Sequence, residues 1–346
     1  MGDSMLRDSS QYLSGRPAPA PITRNHPTAD MASGLPPLPT EAHPWLTAVA
    51  KTLGLTGRTA ETFTRYGLLT VPSLNILMLC QQAEPARWSL LGFVQPPAGI
   101  STLLWSEALL RANCVAMALD TCVWGQDEKG VTVLAKQLPF YQYNDCQAVV
   151  EAIEQMEALS SSLLVTVVAA AQASTDAPEQ PSSDMTPVSP QLDLLGQRLD
   201  SMAERAIDAQ WHKPLIEQAL TALKVALPGQ AFGSVGALKV DKRFIEVIAD
   251  PDERHLLLST SVGVSISTAA QRSAALQTNL YLMTGAHCGL ALAPGGATLQ
   301  SRWDCTGLDG NDLAAWLADF MTLACALDAG DPPAAATHYR SAGGHN

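Results

Sequence analysis

The sequence predicts an α+β protein that contains two tandem α-β-β-α-β-β-α domains with antiparallel sheets. Three observations lead to this prediction. The two halves match one another without a gap, the segments that predict strands come in pairs joined by short turns, and amphipathic helical segments open, divide and close each half. Strands joined as hairpins form antiparallel sheets, which favours this class over a doubly wound parallel sheet.

The internal repeat is clearest when the chain is compared with itself at an offset of 166 residues. Across residues 83–132, fourteen of the fifty aligned positions are identical. The matched positions include the pairs Asn113 and Asn279, Cys122 and Cys288, and Thr132 and Thr298, and the same offset pairs Trp45 with Trp211. An ungapped match of this length predicts two copies of one domain.

Each copy begins with a helix, at 44–53 in the first and 214–227 in the second. A hairpin follows, with strands at 74–82 and 87–95 in one copy and at 239–249 and 255–264 in the other. The turns contain Pro85 and Asp250-Pro251-Asp252, and this composition favours chain reversal.

A second helix and a second strand pair follow in both copies. Ser101-Thr102 and Ser267-Thr268 are good N-cap residues, so the helix begins there. The strands lie at 122–125 and 131–138, then at 288–292 and 297–303. A third helix closes each copy, and its apolar spacing is clearest at Leu313, Trp316, Leu317, Phe320 and Leu327. The order leaves room for one further strand early in each sheet.

Composition predicts where the two domains lie along the chain. A disordered, proline-rich tail is expected at 1–42, the first domain at 43–171 and a Pro/Ser-rich linker at 172–191. The second domain follows at 192–330, with a flexible tail at 331–346. An additional amphipathic helix at the start of the second domain is predicted by Leu192, Leu195, Leu199, Met202 and Ala206.

Charge and hydropathy narrow the function classes. The 346 residues carry a formal net charge of −12, which argues against nucleic acid and anionic membranes as partners. The longest strongly apolar stretch, 163–171, is too short to cross a bilayer, so no membrane insertion is expected. Seven cysteines without a C-x-x-C pair and a start without an apolar signal segment predict a reducing, cytoplasmic compartment.

The sequence contains none of the common catalytic or cofactor-binding motifs. Phosphate loops, dinucleotide fingerprints, zinc helices and nucleophile elbows are absent from it, so no catalytic residue, cofactor or metal is predicted. Cys122 and Cys288 recur at one strand position, which favours buried packing over reactivity. Asn113 and Asn279 either satisfy backbone groups in a helix-sheet core or hold a partner strand.

The hairpin strands are apolar on both faces, which one-sided burial does not require. The outer face is therefore covered as well, either by the other copy or by another subunit or a bound peptide.

Several segments resemble the class I type III secretion chaperones, the CesT/SycE-like family. Residues 274–303 resemble the second helix of that family and the strand pair after it, and 308–327 resemble its closing helix. Residues 106–140 are a weaker copy of the first of these patterns.

The resemblance implies a non-enzymatic chaperone of the bacterial cytoplasm that serves type III secretion and virulence. It implies that the chain binds the N-terminal segment of a secreted effector in extended form and keeps it soluble and export-competent. Two alternatives remain: a scaffold or regulatory component of the secretion apparatus, or a protein that is itself a secreted effector.

The chain departs from the family in one respect, because ordinary members are single domains that form homodimers. Two copies in one chain imply a monomer that acts as an intramolecular pseudo-dimer. The second helices would then make the inter-domain contact, through Leu103, Leu110 and Met117 on one side and Leu276 and Met283 on the other. The expected client-binding residues are Leu77, Leu79, Trp88, Leu90, Phe93, Phe244, Ile245, Leu256 and Leu258.

Overall fold

The structure is a computed structural model that describes residues 34–81, 87–138, 145–175, 211–225, 235–240, 243–250 and 252–329. The chain divides into two units, Met1–Leu35 and Pro36–Asn346. Both sheets lie within the second unit, and all but two residues of the first unit lie outside the described part.

Several predicted segments also lie outside the described residues. They are the first 33 residues of the tail, the turn at Pro85, the linker beyond Thr175, the additional helix at 192–206 and the C-terminal tail. The rest of the predicted tail is described: Leu38 is buried, and a single 3-10 turn covers Thr40–Ala42.

Among its described residues, the first half contains four α-helices and a five-stranded antiparallel sheet in the order β1-β2-β3-β5-β4. Its elements are α1 (His43–Thr52), α2 (Gly57–Tyr66), β1 (Leu68–Thr70), β2 (Asn75–Gln81), β3 (Arg87–Val94), α3 (Thr102–Asp120), β4 (Cys122–Gln126), β5 (Thr132–Leu138) and α4 (Cys146–Thr175).

The second half repeats this order, with a sheet β6-β7-β8-β10-β9. Its described elements are α5 (Lys213–Ala222), β6 (Val235–Val240), β7 (Arg243–Ala249), β8 (His255–Ser261), α6 (Ala269–Ala286), β9 (Cys288–Ala293), β10 (Gly296–Asp304) and α7 (Gly310–Ala329). The predicted fold class, α+β with two similar halves and antiparallel sheets, is confirmed.

Two elements differ from the sequence prediction. The single strand predicted at 239–249 is in fact the end of β6 followed by the whole of β7. The further strand for which the predicted order left room is therefore β1 in the first half and β6 in the second. Helix α2 was not predicted, because its ten residues are polar on average and contain a single buried apolar side chain, Phe63.

The central helix of each half begins and ends in the same way. The Ser101 hydroxyl accepts from the Leu104 N–H at 3.2 Å, and Thr268 forms a capping box with Gln271. Both helices end at a residue in the left-handed conformation, Thr121 and His287, each with φ of 52°. The C-terminal caps are 166 residues apart, whereas the N-terminal caps, Ser101 and Thr268, are 167 apart, so α6 is one residue shorter than α3.

The repeat is lost at two of the pairs that the offset aligned. The turn after β4 has five residues, 127–131, whereas the turn after β9 has two, 294–295. The distance along the chain from Cys122 to Thr132 equals that from Cys288 to Thr298. Nevertheless, Thr132 faces the helices of its own half, where its hydroxyl accepts from Trp105 Nε1 at 2.8 Å, whereas Thr298 lies on the outer side of its sheet. The equivalence of these threonines is therefore wrong, since a one-residue shift exchanges the faces of a strand.

The first helices differ in the same manner. Trp45 lies inside α1, whereas Trp211 precedes α5, so these tryptophans are not equivalent either. The helices correspond instead through Pro44 and Pro214, each the second residue of its helix, a position where proline is tolerated.

The main core lies between the helices and the inner face of each sheet, the face on the side of that sheet's own helices. Tryptophan pairs occur in both halves. The rings of Trp45 and Trp88 meet edge to face at 5.2 Å, and those of Trp303 and Trp316 lie 4.8 Å apart.

Helix α4 corrects one expectation from the sequence. The segment Cys146–Ala173 is long and apolar enough to cross a membrane by length and composition, so the stretch 163–171 understated its length. A core helix of a soluble protein passes the same test. Val149, Ile153 and Met156 are at most 2% exposed and pack in the main core, so the first half of α4 is a core helix.

Candidate functional site

Two surfaces are candidates for function: the contact between the two halves, and the outer face of each sheet, which is the face away from that sheet's own helices. At the contact, α3 packs against α6, and each helix also packs against the edge strand of the other half, β9 or β4. We call this contact the seam.

Asn113 and Asn279 lie at the centre of the seam, where both side chains are at most 1% exposed. The Asn113 Nδ2 donates to the carbonyl oxygens of Trp124 and Leu290, each at 3.0 Å. The Asn279 Nδ2 donates to the same two carbonyls, at 3.1 and 3.0 Å. Each Oδ1 accepts from the strand N–H of its own half at 2.6 Å.

This arrangement combines the two roles that the sequence left open. Each carboxamide satisfies backbone groups of its own half and holds a strand of the other half. Trp124 and Leu290 are 166 residues apart, as are the two asparagines, so the four residues form a pseudo-two-fold arrangement.

A small apolar cluster surrounds this network. It contains Met117 and Val123 from the first half and Leu257 and Met283 from the second. Of the other predicted inter-domain residues, Leu110 and Leu276 are fully buried in the main core, whereas the Leu103 side chain is 48% exposed. The Leu103 backbone does reach the second half, because its carbonyl accepts from Arg272 at 3.3 Å.

The predicted client-binding residues separate into two groups. Those on the inner faces contact the protein's own core and are at most 3% exposed: Trp88, Leu90, Ile245, Leu256 and Leu258. Those on the outer faces are Leu77, Leu79, Phe93 and Phe244. The burial of the first group leaves no surface for a ligand to contact. Leu77 is also buried, at 9% exposed, so Leu79, Phe93 and Phe244 enter the site.

The outer face of the first sheet is apolar across two adjacent strands. Leu77 is the cross-strand partner of Leu91, while Phe93 pairs with Asn75 and, on its other side, with Val133. Leu79 is 36% exposed and Phe93 is partly exposed, whereas Leu91 packs against the apolar cluster of the seam. Leu91 was missing from the predicted site, although the alternation of β3 places it on the same face as Phe93.

The outer face of the second sheet is polar at two of the four corresponding positions, while Ile248 and Leu257 stand where the first half has Leu77 and Leu91. Ser259 stands where the first half has Phe93. The counterpart of Leu79 is Asp250, whose N–H donates to the His255 carbonyl at 2.8 Å. Phe244 is 60% exposed on this face, with the Lys239 ammonium 5.6 Å from its ring centroid.

Asp250 belongs to a group of side chains that could be mistaken for a metal site. Ligand atoms of Asp250, Asp252 and His255 lie within 4.8 Å of one another. However, Arg302 Nη2 lies 2.7 Å from Asp250 and 3.8 Å from Asp252, so a guanidinium already balances these carboxylates. Burial and the charge of Arg302 lower the pKa of His255. The cluster therefore works as an ion-pair network that holds the turn between β7 and β8.

The two cysteines at equivalent positions of the repeat are free thiols that pack in the protein interior. Cys122 and Cys288 are at most 1% exposed, and burial raises the pKa of each thiol to about 12. A thiol with so high a pKa carries almost no thiolate near neutral pH and is a poor nucleophile.

Comparison with known proteins places a family match in the second half. Residues 215–328 match the model of the Tir chaperone protein (CesT) family. No curated protein matches the chain. A chain from the solved ExoT-SpcS complex of Pseudomonas aeruginosa is 23% identical, with a TM-score of 0.28, over 34% of this chain and 97% of that one. The resemblance to the type III secretion chaperones that the sequence predicts is therefore confirmed, and the family match lies in residues 215–328.

Proposed function

We propose that this protein is a non-enzymatic chaperone of the bacterial cytoplasm that binds the N-terminal segment of a type III secreted effector. It holds that segment in extended form and so keeps the effector soluble and competent for export. The observation that carries this proposal is the partly exposed apolar surface that Leu79 and Phe93 form on the outer face of the first sheet, in a chain whose other half matches a chaperone family.

The outer face of the first sheet has dimensions that suit an extended peptide. Leu77 and Leu79 lie two residues apart on β2, which is about 6.6–6.8 Å along a strand. Alternate side chains of an extended client have the same spacing, so every second client residue would face this strand, with Leu79 as the main contact because Leu77 is only 9% exposed. Phe93 lies on the adjacent strand, roughly 4.8 Å away, and widens the patch, while Leu91 between them packs against the seam cluster.

Burial of such a patch provides affinity without demanding one client sequence. Removal of apolar surface from water contributes about 25 cal/mol per Å², so covering a few partly exposed leucine and phenylalanine side chains contributes several kcal/mol. The net charge of −12 keeps the loaded protein soluble and favours basic or amphipathic client segments.

The two halves contribute unequally in this proposal. On the second outer face, the charged Asp250 does not suit an apolar segment, and Ser259 is only 7% exposed. The second half offers Phe244 and the edge strand β6, to which an extended segment could add through its backbone. We therefore propose one principal client site per chain, on the first half.

The test uses peptides that cover the N-terminal segments of the type III secreted proteins encoded in the same genome. Binding is measured by fluorescence anisotropy with the intact chain, Leu79→Asp, Phe93→Asp and a control, Val165→Asp. Val165 is 71% exposed on α4, away from the outer face, so its variant tests the effect of a new surface charge alone. We expect at least one peptide to bind, the two sheet variants to bind it at least tenfold more weakly, and the control to bind it normally.

Two results would reject the proposal. One is unchanged peptide affinity in both sheet variants, and the other is failure of every peptide to bind. Export of this chain itself into the medium would favour the effector alternative. Stable association with components of the secretion apparatus, without peptide binding, would favour the scaffold alternative.

A further inference from the structure

The side chains of the two halves differ in size at the pseudo-two-fold axis of the seam, beside the asparagine network. Val123 and Gly289 are equivalent positions that contact one another. Each directly precedes a residue, Trp124 or Leu290, whose carbonyl accepts from both asparagines. A Cβ atom at Gly289 would lie 2.6 Å from Val123 Cγ2, closer than non-bonded carbon atoms approach. The branched Val123 side chain is fully buried and has little freedom to move.

A second complementary pair lies beside the first. A Cβ atom at Gly125 would lie 2.7 Å from Leu280 Cδ2 and 2.8 Å from the Leu276 carbonyl oxygen. By the 166-residue offset, Leu280 of the helix corresponds to Cys114, and Gly125 of the strand corresponds to Ala291. On that side of the seam the helix residue is therefore the smaller one and the strand residue the larger one. Cys114 Sγ lies 3.7 Å from the neighbouring Leu292 carbonyl, so this side of the seam is also closely packed.

An ion pair is likewise present at only one of two equivalent places in the seam. Arg272 Nη1 donates to Glu107 Oε2 across the seam at 2.9 Å. The equivalent positions are Ser106 and Ser273, which carry no charge. Only the pairing of a first half with a second half brings this arginine and this glutamate together.

We propose that the seam is specific for unlike halves: it pairs a first half with a second half and rejects pairing of either half with itself. Two first halves would place Val123 against Val123 and leave space between Cys114 and Gly125. Two second halves would place Leu280 against Ala291 and leave a hole between the two Gly289 residues. This specificity concerns the assembly of the chain and holds whether or not the client proposal is correct.

The first test exchanges the residues at the pseudo-axis. Thermal unfolding is measured for the intact chain, Val123→Gly, Gly289→Val and the double variant that carries both. We expect each single variant to lower the melting temperature by roughly 3–10 °C, one through a cavity and the other through overpacking. The double variant restores the volume and should recover more than half of the summed loss.

Exchanging valine and glycine also changes the backbone propensity at each position. This contribution is the same in the single and the double variants, so it cancels when the loss of the double variant is compared with the sum of the two single losses. Gly285→Val is the matched control, since a Cβ atom at Gly285 would meet nothing within 4 Å. Strictly additive losses, or a Gly289→Val chain as stable as the control, would overturn the proposal.

The second test remains decisive if Gly289→Val fails to fold. A protease site is inserted within residues 176–191 of the full chain, the purified protein is cut, and the fragments are weighed by native mass spectrometry after long incubation. We expect complexes of one first half with one second half. Complexes of two first halves or two second halves would overturn the proposal.

Discussion

Asn113 and Asn279 donate hydrogen bonds to the same two carbonyl oxygens, those of Trp124 and Leu290. Each asparagine comes from a different half, so the network joins the halves through backbone groups as well as side chains. A buried polar network with every member satisfied fixes one arrangement of the groups around it, because any shift leaves donors or acceptors unpaired.

Removal of either asparagine should therefore destabilise the whole unit. We expect Asn113→Ala and Asn279→Ala each to lower the free energy of unfolding by about 2–4 kcal/mol, since each leaves a buried strand N–H without its acceptor. The double variant should lose more than the sum, because the shared carbonyls then lose both donors. Urea unfolding measures these losses. Asn311→Ala, at an exposed position, is the control and should change stability by less than about 0.5 kcal/mol.

Thr121 offers a stabilising substitution. It is a β-branched residue with φ of 52°, a conformation that costs most residues roughly 1–2 kcal/mol and that asparagine tolerates better. We expect Thr121→Asn to raise the free energy of unfolding by about 1 kcal/mol and to retain an acceptor for Arg302, which donates to the Thr121 hydroxyl at 3.3 Å. Thr121→Val keeps the branch and loses the acceptor, so a gain in that variant would contradict the explanation.

His287 should make stability depend on pH. Burial, with a smaller contribution from Arg87, lowers the pKa of His287 to about 4, against about 6.5 in an unfolded chain. Above pH 6.5 the ring is neutral in both states and has no effect. As the pH falls from about 6.5 to 4, the unfolded state binds a proton that the folded state does not, so stability falls by up to about 3 kcal/mol.

The variant His287→Asn tests this dependence. Asparagine does not titrate in this range and suits the left-handed conformation, so any conformational gain is the same at every pH. We expect the difference in unfolding free energy between the variant and the native chain to grow from pH 7.5 to pH 5. A difference that stays constant would show that His287 is not the titrating group.

Helix α4 should behave as a core helix. Met156 is fully buried, so Met156→Ala should cost about 2–5 kcal/mol through lost contacts and a cavity. Val165 lies on the same helix and is 71% exposed, so Val165→Ala should change stability by less than about 0.5 kcal/mol. Equal small effects from the two substitutions would show that α4 does not pack as described. Urea unfolding of both variants is sufficient for the comparison.

Local signals predicted most of the fold. The caps at Ser101 and Thr268, the hairpin turns and the apolar spacing of α7 each depend on neighbouring residues, which the sequence displays directly. The register of the second hairpins was not predictable in this way. Turns of unequal length gave equal overall spacing, so an ungapped comparison aligned Thr132 with Thr298 although they face opposite sides of their sheets.

The candidate site was predicted in part for a related reason. Strands that are apolar on both faces do not reveal which face is turned toward the helices. Trp88 and Leu90 are indistinguishable in type from Leu79 and Phe93, yet the first pair is buried under the helices and the second is on the outer face. The seam partners of Asn113 and Asn279 depended on the packing of one half against the other, which no local pattern encodes.

We propose that one chain supplies both halves of the paired unit and one apolar outer face for a client. The most direct measurement is native mass spectrometry of the chain, alone and with a saturating amount of a client peptide that binds in the anisotropy assay. We expect a single chain of 36.6 kDa that takes up one peptide. A stable dimer of chains, or two peptides bound per chain, would contradict it.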